Sequence, residues 1–333
     1  PEVREDLDKI VNDKEALEDA FYTPMEFGTA GMRGLIGAGI NRMNIYTVRQ
    51  ATEGLARFMD TFDEETKLRG VAISYDSRHM SQEFAFEAAR VLGAHGIPSF
   101  VFESLRPTPE LSFTVRHLHA YAGIMITASH NPKQYNGYKI YGEDGAQMPP
   151  KESDMITNYI REVDDLFAVE VADKDALIND GTLKVIGSEV DEVYLENAKE
   201  VTIDRELVAE EGKTMKLVFT PLHGTGGMLG EKALRQAGFE DFTMVPEQAM
   251  PDPEFSTVEH PNPEFTEAFD LAIKLGKSQK ADLLVAVDPD ADRLGAAVRQ
   301  PDGEYELLTG NQIAALMLNY ILTARKKAGN LPA

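Results

Sequence analysis

The chain has 333 residues, 43% of them hydrophobic, enough for two or three domains with cores of their own. It has no cysteine, which excludes disulfides and Cys-ligated zinc or iron–sulfur sites. A net charge of −23 repels nucleic acid on average, so an anionic partner would have to be a small molecule met at a local positive site.

Residues 1–20 predict one amphipathic helix, with Leu7, Ile10, Val11 and Leu17 on one face. The charged start, Pro1-Glu2-Val3-Arg4-Glu5-Asp6, does not resemble a signal peptide. No apolar run reaches the ~20 residues that span a bilayer. A cytoplasmic protein without a membrane partner is therefore the expectation. The glycines of Phe27-Gly28-Thr29-Ala30-Gly31-Met32-Arg33-Gly34, continued at Gly37 and Gly39, point to a backbone that something approaches closely. Arg33 lies inside this stretch, and its planar fork suits a phosphate. The same residues would also make a flexible loop with a solvated arginine.

Helices are predicted from Thr47 to Phe62, from Ser81 to His95 with a stop at Gly96, and from Pro109 to Leu118. Strands are predicted at Val71–Ser74, running out at Tyr75-Asp76-Ser77-Arg78, at Pro98–Phe102, and at Ala122–Ile126. This alternation implies βαβ units and a mostly parallel sheet. The Ala122–Ile126 strand delivers Thr127-Ala128-Ser129-His130-Asn131-Pro132. Pro132 blocks simple strand continuation, so Ser129 falls on a loop just past a strand's carboxyl end, where open α/β sheets place their ligands. A serine there can carry or attack a group, although an ordinary Ser/Asn turn would look the same.

Asn136-Gly137 predicts a tight hairpin turn before the strand Tyr138–Tyr141, which would fold Lys139 back toward Ser129. A lysine in a dry cleft or near cations gives up its proton more readily, as acid–base work requires, whereas a lone strand lysine is otherwise a surface residue. Another turn is expected at Glu143-Asp144-Gly145. Residues 151–163 look helical, 164–188 read as an acidic, irregular linker, and Val190–Ala198 as a connecting helix.

A second α/β unit begins near residue 201. The strand Lys216–Phe219 feeds Pro221-Leu222-His223-Gly224-Thr225-Gly226-Gly227-Met228-Leu229-Gly230 and a helix to Ala237. A dinucleotide fingerprint would need glycine at 229, where leucine stands, and no ribose-binding acid follows in a matching strand, which argues against a nicotinamide cofactor. Residues 246–263 are a proline-rich loop, and a helix follows over Phe265–Leu275. The apolar strand Ala281–Val287 then ends in Asp288-Pro289-Asp290-Ala291-Asp292-Arg293. Three carboxylates at alternate positions on a tight loop can converge on one hard cation, and without one they repel each other. The spacing does not fit an EF-hand, whose sixth and twelfth positions fall here on Arg293 and Arg299. Magnesium suits an all-oxygen site that also holds a phosphate. A hairpin across Asp302-Gly303 and a helix from Asn311 to Lys326 complete the chain.

Five stretches jointly resemble the motifs of the α-D-phosphohexomutase superfamily, in its order. They are Gly28–Gly34, Thr127–Pro132, Asn136–Ile140, Pro221–Gly226 and Asp288–Arg293. The form Phe27-Gly-Thr-Ala-Gly-Met-Arg-Gly34 is most similar to its bacterial phosphoglucomutase and phosphopentomutase branch. The resemblance implies a phosphate carried on Ser129 and exchange of glucose 1-phosphate with glucose 6-phosphate through glucose 1,6-bisphosphate. It further implies Mg²⁺ held by Ser129, Asp288, Asp290 and Asp292, Lys139 as acid–base group, and His130 supporting the loop. Arg33, Arg293, Thr29 and His223 would meet the hexose phosphate substrate. Phosphomannomutase, phosphopentomutase, a Mg²⁺-dependent phosphatase and a non-catalytic sugar-phosphate binding protein are the alternatives.

The implied fold is α/β: two related units with mixed, mostly parallel sheets flanked by helices, plus the start of a third. The expected boundaries are 1–200, 201–303 and 304–333. The family's Gly-Glu-x-Ser sugar-selecting loop and its C-terminal phosphate clamp have no counterpart here. The expectation is therefore a fragment with little mutase turnover alone.

Overall fold

A computed structural model describes residues 3–28 and 31–331. Contacts divide the chain into two compact units. One comprises the residues up to Ala128 together with Pro132–Val190, the other Ser129–Asn131 together with the residues from Asp191 on. The tip of the Ser129 loop thus clusters with the second unit and both its stems with the first.

The first unit is built on a six-stranded sheet of β1 (Met32–Leu35), β2 (Val71–Tyr75), β3 (Ser99–Phe102), β4 (Ala122–Ile126), β5 (Tyr135–Tyr141) and β6 (Leu183–Ile186). Their spatial order is β1-β5-β4-β2-β3-β6. The β4-β2-β3-β6 run is parallel, and β5 and β1 are added antiparallel at one edge. Strands β2 and β4 are buried along their whole length, as continuous apolar runs covered on both faces must be. The helices Ile45–Met59, Ser81–Ala94, Thr108–His117 and Pro150–Arg161 accompany the sheet. Val48, Leu55, Met59, Ile73, Phe84, Leu92, Ile124 and Tyr138 form the centre of the core. Asn44 starts the first of these helices by accepting from the N–H groups of Tyr46 (3.0 Å) and Thr47 (3.2 Å), so it begins two residues earlier than its apolar spacing predicts.

Three local expectations change. The single N-terminal helix is two, Arg4–Ile10 and Lys14–Phe21, because Asp13 caps the second by accepting from the N–H groups of Glu15 and Ala16. Asn136-Gly137 is not a turn but lies inside β5, with Asn136 opposite Gly34 and Gly137 opposite Arg33. A Cβ at Gly137 would sit 2.5 Å from the Thr127 carbonyl oxygen and 2.8 Å from that of Met32, so glycine is there for close backbone approach. The reversal between β4 and β5 is instead the Ser129 loop itself. Residues 164–188 are not a plain linker, since they contain the helix Lys174–Asp180 and the edge strand β6. Leu183 and Ile186 turn inward there, while Lys184 and Val185 face out.

The second unit has a five-stranded sheet of β7 (Leu217–Thr220), β8 (Phe242–Met244), β9 (Leu283–Val287), β10 (Leu294–Arg299) and β11 (Tyr305–Leu308), in the order β11-β10-β9-β7-β8. Again the β9-β7-β8 side is parallel and the β10-β11 hairpin antiparallel. That hairpin turns at Asp302-Gly303, with Gly303 at φ +89° and Gln300 N–H donating to Glu304 O at 2.7 Å. The helices are Arg205–Glu211, Gly226–Ala237, Asp270–Gln279 and Gly310–Ala328, and Ser188–Ala198 runs across the division between the units at Val190. Gly226-Gly227, read as loop from sequence, opens a helix. Among the described residues no helix is long and apolar enough to cross a membrane. The architecture is α/β, two mixed sheets flanked by helices.

Candidate active site and metal centre

The candidate site loops follow β4 and β9, the strands at which the antiparallel edge of each sheet joins its parallel part. In the first unit β4 lies next to β2, and its carboxyl end runs into Thr127–Gln134. Ser129 adopts the left-handed backbone at φ +53°, a conformation in which a non-glycine residue needs support. It is buried, and its Oγ donates to Asp288 Oδ2 at 2.8 Å. His130 Nδ1 lies 3.2 Å from the same oxygen. Ser129–Asn131 and the Asp288 loop belong to one unit, so this contact is internal to it.

In the second unit β9 delivers Asp288-Pro289-Asp290-Ala291-Asp292-Arg293. Asp288 closes the turn twice: its carbonyl accepts from Ala291 N–H (2.9 Å), and its Oδ1 accepts from Arg293 N–H (3.0 Å). Asp288 and Asp290 are buried and Asp292 is exposed. One oxygen from each of the three carboxylates lies within 4.8 Å of the others. Burial, reinforced by Asp290 and Asp292, pushes the Asp288 carboxyl well above the usual carboxylate range, against the pull of the Ser129 hydroxyl. Three converging hard oxygen donors, two of them withdrawn from water, fit a small divalent cation that would relieve their repulsion.

The Pro221–Thr225 segment packs against the aspartate loop at Pro289. Thr225 donates to Pro289 O from its backbone N–H (2.8 Å) and its hydroxyl (3.0 Å). Gly224 is packed so closely that a Cβ would lie 2.4 Å from the Pro289 backbone. His223 is buried at φ +63°. Its Nε2 is 2.8 Å from Thr257 Oγ1 and its Nδ1 is 3.4 Å from Met250 O, so both ring nitrogens face partners within the chain.

The other expected site residues are placed as follows. Lys139 is buried on β5, paired with Met125 of β4. Arg33 is exposed on the edge strand β1, and the Arg293 side chain is exposed beside the aspartates. Thr29 lies outside the described residues. Sequence reading passed over Asp76 and Arg78, which sit at the carboxyl end of β2 with fully buried side chains. The signal that marked Ser129, polar residues just past a buried parallel strand, marks them too.

Residues 24–166 match the family model described as phosphoglucomutase/phosphomannomutase, alpha/beta/alpha domain I, and residues 192–303 match domain II of the same family. The chain belongs to the α-D-phosphohexomutase superfamily. Among curated members it is 41% identical over 302 residues to a phosphoglucomutase of Staphylococcus aureus, covering 91% of this chain and 53% of that protein. It thus spans about half the length of the superfamily relatives it matches. A solved superfamily structure, a putative phosphomannomutase from Thermus thermophilus, superposes with a TM-score of 0.67 at 27% identity, covering 85% of this chain and 58% of that one. A phosphoglucomutase/phosphomannomutase family protein from Burkholderia thailandensis gives 0.66 at 20% identity, covering 90% and 60%, a likeness of fold alone.

Proposed function

We propose that this chain carries the phosphoserine and metal-binding part of a phosphoglucomutase, with Ser129 as the residue that holds the transferred phosphate. The observation that carries the reading is the Ser129 hydroxyl 2.8 Å from Asp288, within a cluster of three convergent carboxylates. A phosphate on that hydroxyl would sit where only a cation could reconcile it with the aspartates. Glucose phosphate is the substrate we propose, on the name of the phosphoglucomutase relative at 41% identity.

In this reading Asp288, Asp290 and Asp292 hold Mg²⁺, which when bound supplies neutralisation of charge on the transferring phosphoryl group. The Ser129 Oγ–P bond breaks as a free hydroxyl of the hexose monophosphate takes the phosphoryl group. That hydroxyl's proton passes to a base, for which Lys139 is the candidate, and the freed Ser129 oxygen takes up a proton from solvent, so that the serine ends as a hydroxyl. The glucose 1,6-bisphosphate so formed turns over and returns its other phosphate to Ser129. His130, beside Oγ, steadies the serine. Arg293, exposed next to the aspartates, is a candidate for holding the substrate's own phosphate; Arg33 and Thr29 are candidates for the same role by the family resemblance alone. His223 has its ring engaged by Thr257 and Met250, so we assign it to bracing the Pro221–Thr225 segment rather than to the phosphate. The division into domains at 1–200 and 201–303, with a third element from 304, belongs to the same proposal, as does a cytoplasmic location.

The test is mass spectrometry of the purified chain before and after incubation with glucose 1,6-bisphosphate and Mg²⁺. A single phosphate located on Ser129, absent from Ser129→Ala and from EDTA-treated samples, is expected. Phosphate elsewhere, or none under any condition, overturns the assignment.

A further inference from the structure

Both stems of the Ser129 loop are held by one buried ion pair that no part of the proposed chemistry uses. The Asp76 and Arg78 side chains are fully shielded from water, with Arg78 Nε 3.2 Å from Asp76 Oδ2. On one side, Asp76 N–H donates to the Ile126 carbonyl at 3.0 Å, and the Asp76 carboxylate is hydrogen-bonded by Thr127. On the other, Arg78 Nη1 donates to the carbonyls of Pro132 (2.9 Å) and Tyr135 (3.1 Å). Ser81 links the two: its hydroxyl donates to Asp76 Oδ1 (2.8 Å) and receives Asn136 Nδ2 (2.9 Å). The side chains of the pair thus reach residue 127 before Ser129 and residues 132 and 135 after it, the backbone of Asp76 adds residue 126, and Ser81 extends the network to Asn136.

We propose that the Asp76–Arg78 pair is a positioning device for Ser129, locking the two stems of its loop so that the tip keeps its left-handed backbone. The proposal rests on Ser129 being the phosphate carrier. The physical reason is economy of donors. A guanidinium holds its three nitrogens in one rigid plane, so Nε faces the carboxylate while Nη1 reaches both carbonyls in a fixed relation, whereas a lysine ammonium would have to reach all of them from a single nitrogen on a flexible stem. A buried pair of charges is a poor source of stability, since well-packed apolar residues often serve as well. Its retention beneath a loop with a strained non-glycine residue is explained by a demand for geometry. Asp76 and Arg78 touch neither substrate nor reacting atoms in this account.

The experiment compares wild type with Arg78→Lys and with the double variant Asp76→Asn/Arg78→Met. The double variant removes both charges together, so it leaves no uncompensated buried ion and keeps the fold. Three quantities are read: amide exchange over 127–136, the initial rate of Ser129 phosphorylation by glucose 1,6-bisphosphate, and Mg²⁺ affinity by calorimetry. Exchange in the loop should rise at least ~10-fold in the double variant, with β2 and the Ile45–Met59 helix unchanged. Phosphorylation should fall ~100-fold, the effect of a misplacement of about 1 Å, while Mg²⁺ affinity stays within about threefold. Arg78→Lys should fall between. Unchanged loop exchange, or phosphorylation within about threefold of wild type, overturns the proposal, and so does an equal rise of exchange across the unit. If the wild type takes no phosphate at all, the functional reading fails by itself, and the exchange measurement alone decides the positioning claim.

Discussion

Replacing Asp288 with asparagine should make the metal-free chain more stable and end its response to magnesium. Asparagine is nearly isosteric. Its oxygen can accept from Arg293 N–H where Asp288 Oδ1 now does at 3.0 Å, and its amide can donate to Ser129 Oγ in place of the present 2.8 Å contact. What changes is charge. Two carboxylate charges no more than 4.8 Å apart repel by about 3 kcal/mol at an effective dielectric constant near 20. Asp290 is buried and exerts most of this on Asp288, whereas exposed Asp292 is screened and adds less than ~1 kcal/mol. Part of the repulsion is already relieved in the native state, because burial and these neighbours raise the affinity of Asp288 for a proton. The sign follows from that shift. A carboxyl that holds its proton more tightly when folded favours the native state at low pH, and this advantage is lost as pH rises above ~3.9, the unfolded value, towards the raised one. At pH 8 in EDTA the variant should therefore gain about 1–2 kcal/mol, a rise of about 3–6 °C in melting temperature. Calorimetry with and without MgCl₂ checks it. Wild type should gain stability with Mg²⁺, and the more so at pH 8 than at pH 5. The variant should start higher and shift little, with metal affinity at least ~100-fold weaker. A variant that melts below wild type in EDTA, or that responds equally to Mg²⁺, would refute the picture of three mutually repelling carboxylates awaiting a cation.

Gly224→Ala should weaken Mg²⁺ binding by ~10-fold without touching a carboxylate, because its Cβ would press the Pro289 backbone from 2.4 Å; calorimetric titration reads it. Gly137→Ala should lower the melting temperature by at least ~4 °C, since the new methyl meets the carbonyl oxygens of Thr127, just past β4, and of Met32 on β1, an overpacking worth about 2–3 kcal/mol. Asp60 gives a prediction of opposite pH sign to Asp288. Burial pushes its carboxyl up, but hydrogen bonds from Lys67 and His95 outweigh this and hold it below the usual range. Its contribution is present above ~3.9 and lost as pH falls through the lowered value, so Asp60→Asn should melt below wild type at pH 7, and the gap should close as the solution is made more acid than ~3.9.

The chemistry-bearing loops were legible because each follows a continuous apolar run. Ala122–Ile126 and Leu283–Val287 are strands in their sheets, and their carboxyl ends present Ser129 and the three aspartates as sequence spacing implied. Burial decided what spacing could not. Asn136-Gly137 carries a strong local turn signal, yet the glycine is needed where two neighbouring strands crowd the backbone, and Asn136 spends its amide on His79 O and Ser81 Oγ. Strands β6 and β8 were missed because an edge strand of three or four residues with one or two inward side chains has too little periodicity to register. The Asp76–Arg78 pair was visible only as a polar end to a strand, since nothing local says that both side chains turn inward.

The two sheets explain why these particular loops meet the chemistry. In both units the antiparallel edge joins the parallel part at one strand, β4 in the first and β9 in the second, and the next strand inward is β2 or β7. The loops after β4 and β9 hold Ser129 and the aspartates, and the loops after β2 and β7 support them. Arg78 and Asp76 grip the first, and Thr225 grips Pro289 in the second. Ser129, Leu222, His223 and Ala291 all take left-handed backbone at non-glycine positions, and all four lie in this paired set. Such conformations cost roughly 1–3 kcal/mol each and persist only where neighbours impose them. The supports differ in kind. The aspartate loop is held by backbone and hydroxyl donors, and a bound cation would hold it further. The serine loop is held at its stems by the buried Arg78 guanidinium and Asp76 carboxylate. If that division of labour is right, loosening the Arg78 grip should misplace Ser129 while the cation site stays intact, whereas loosening the Thr225 grip should do the reverse.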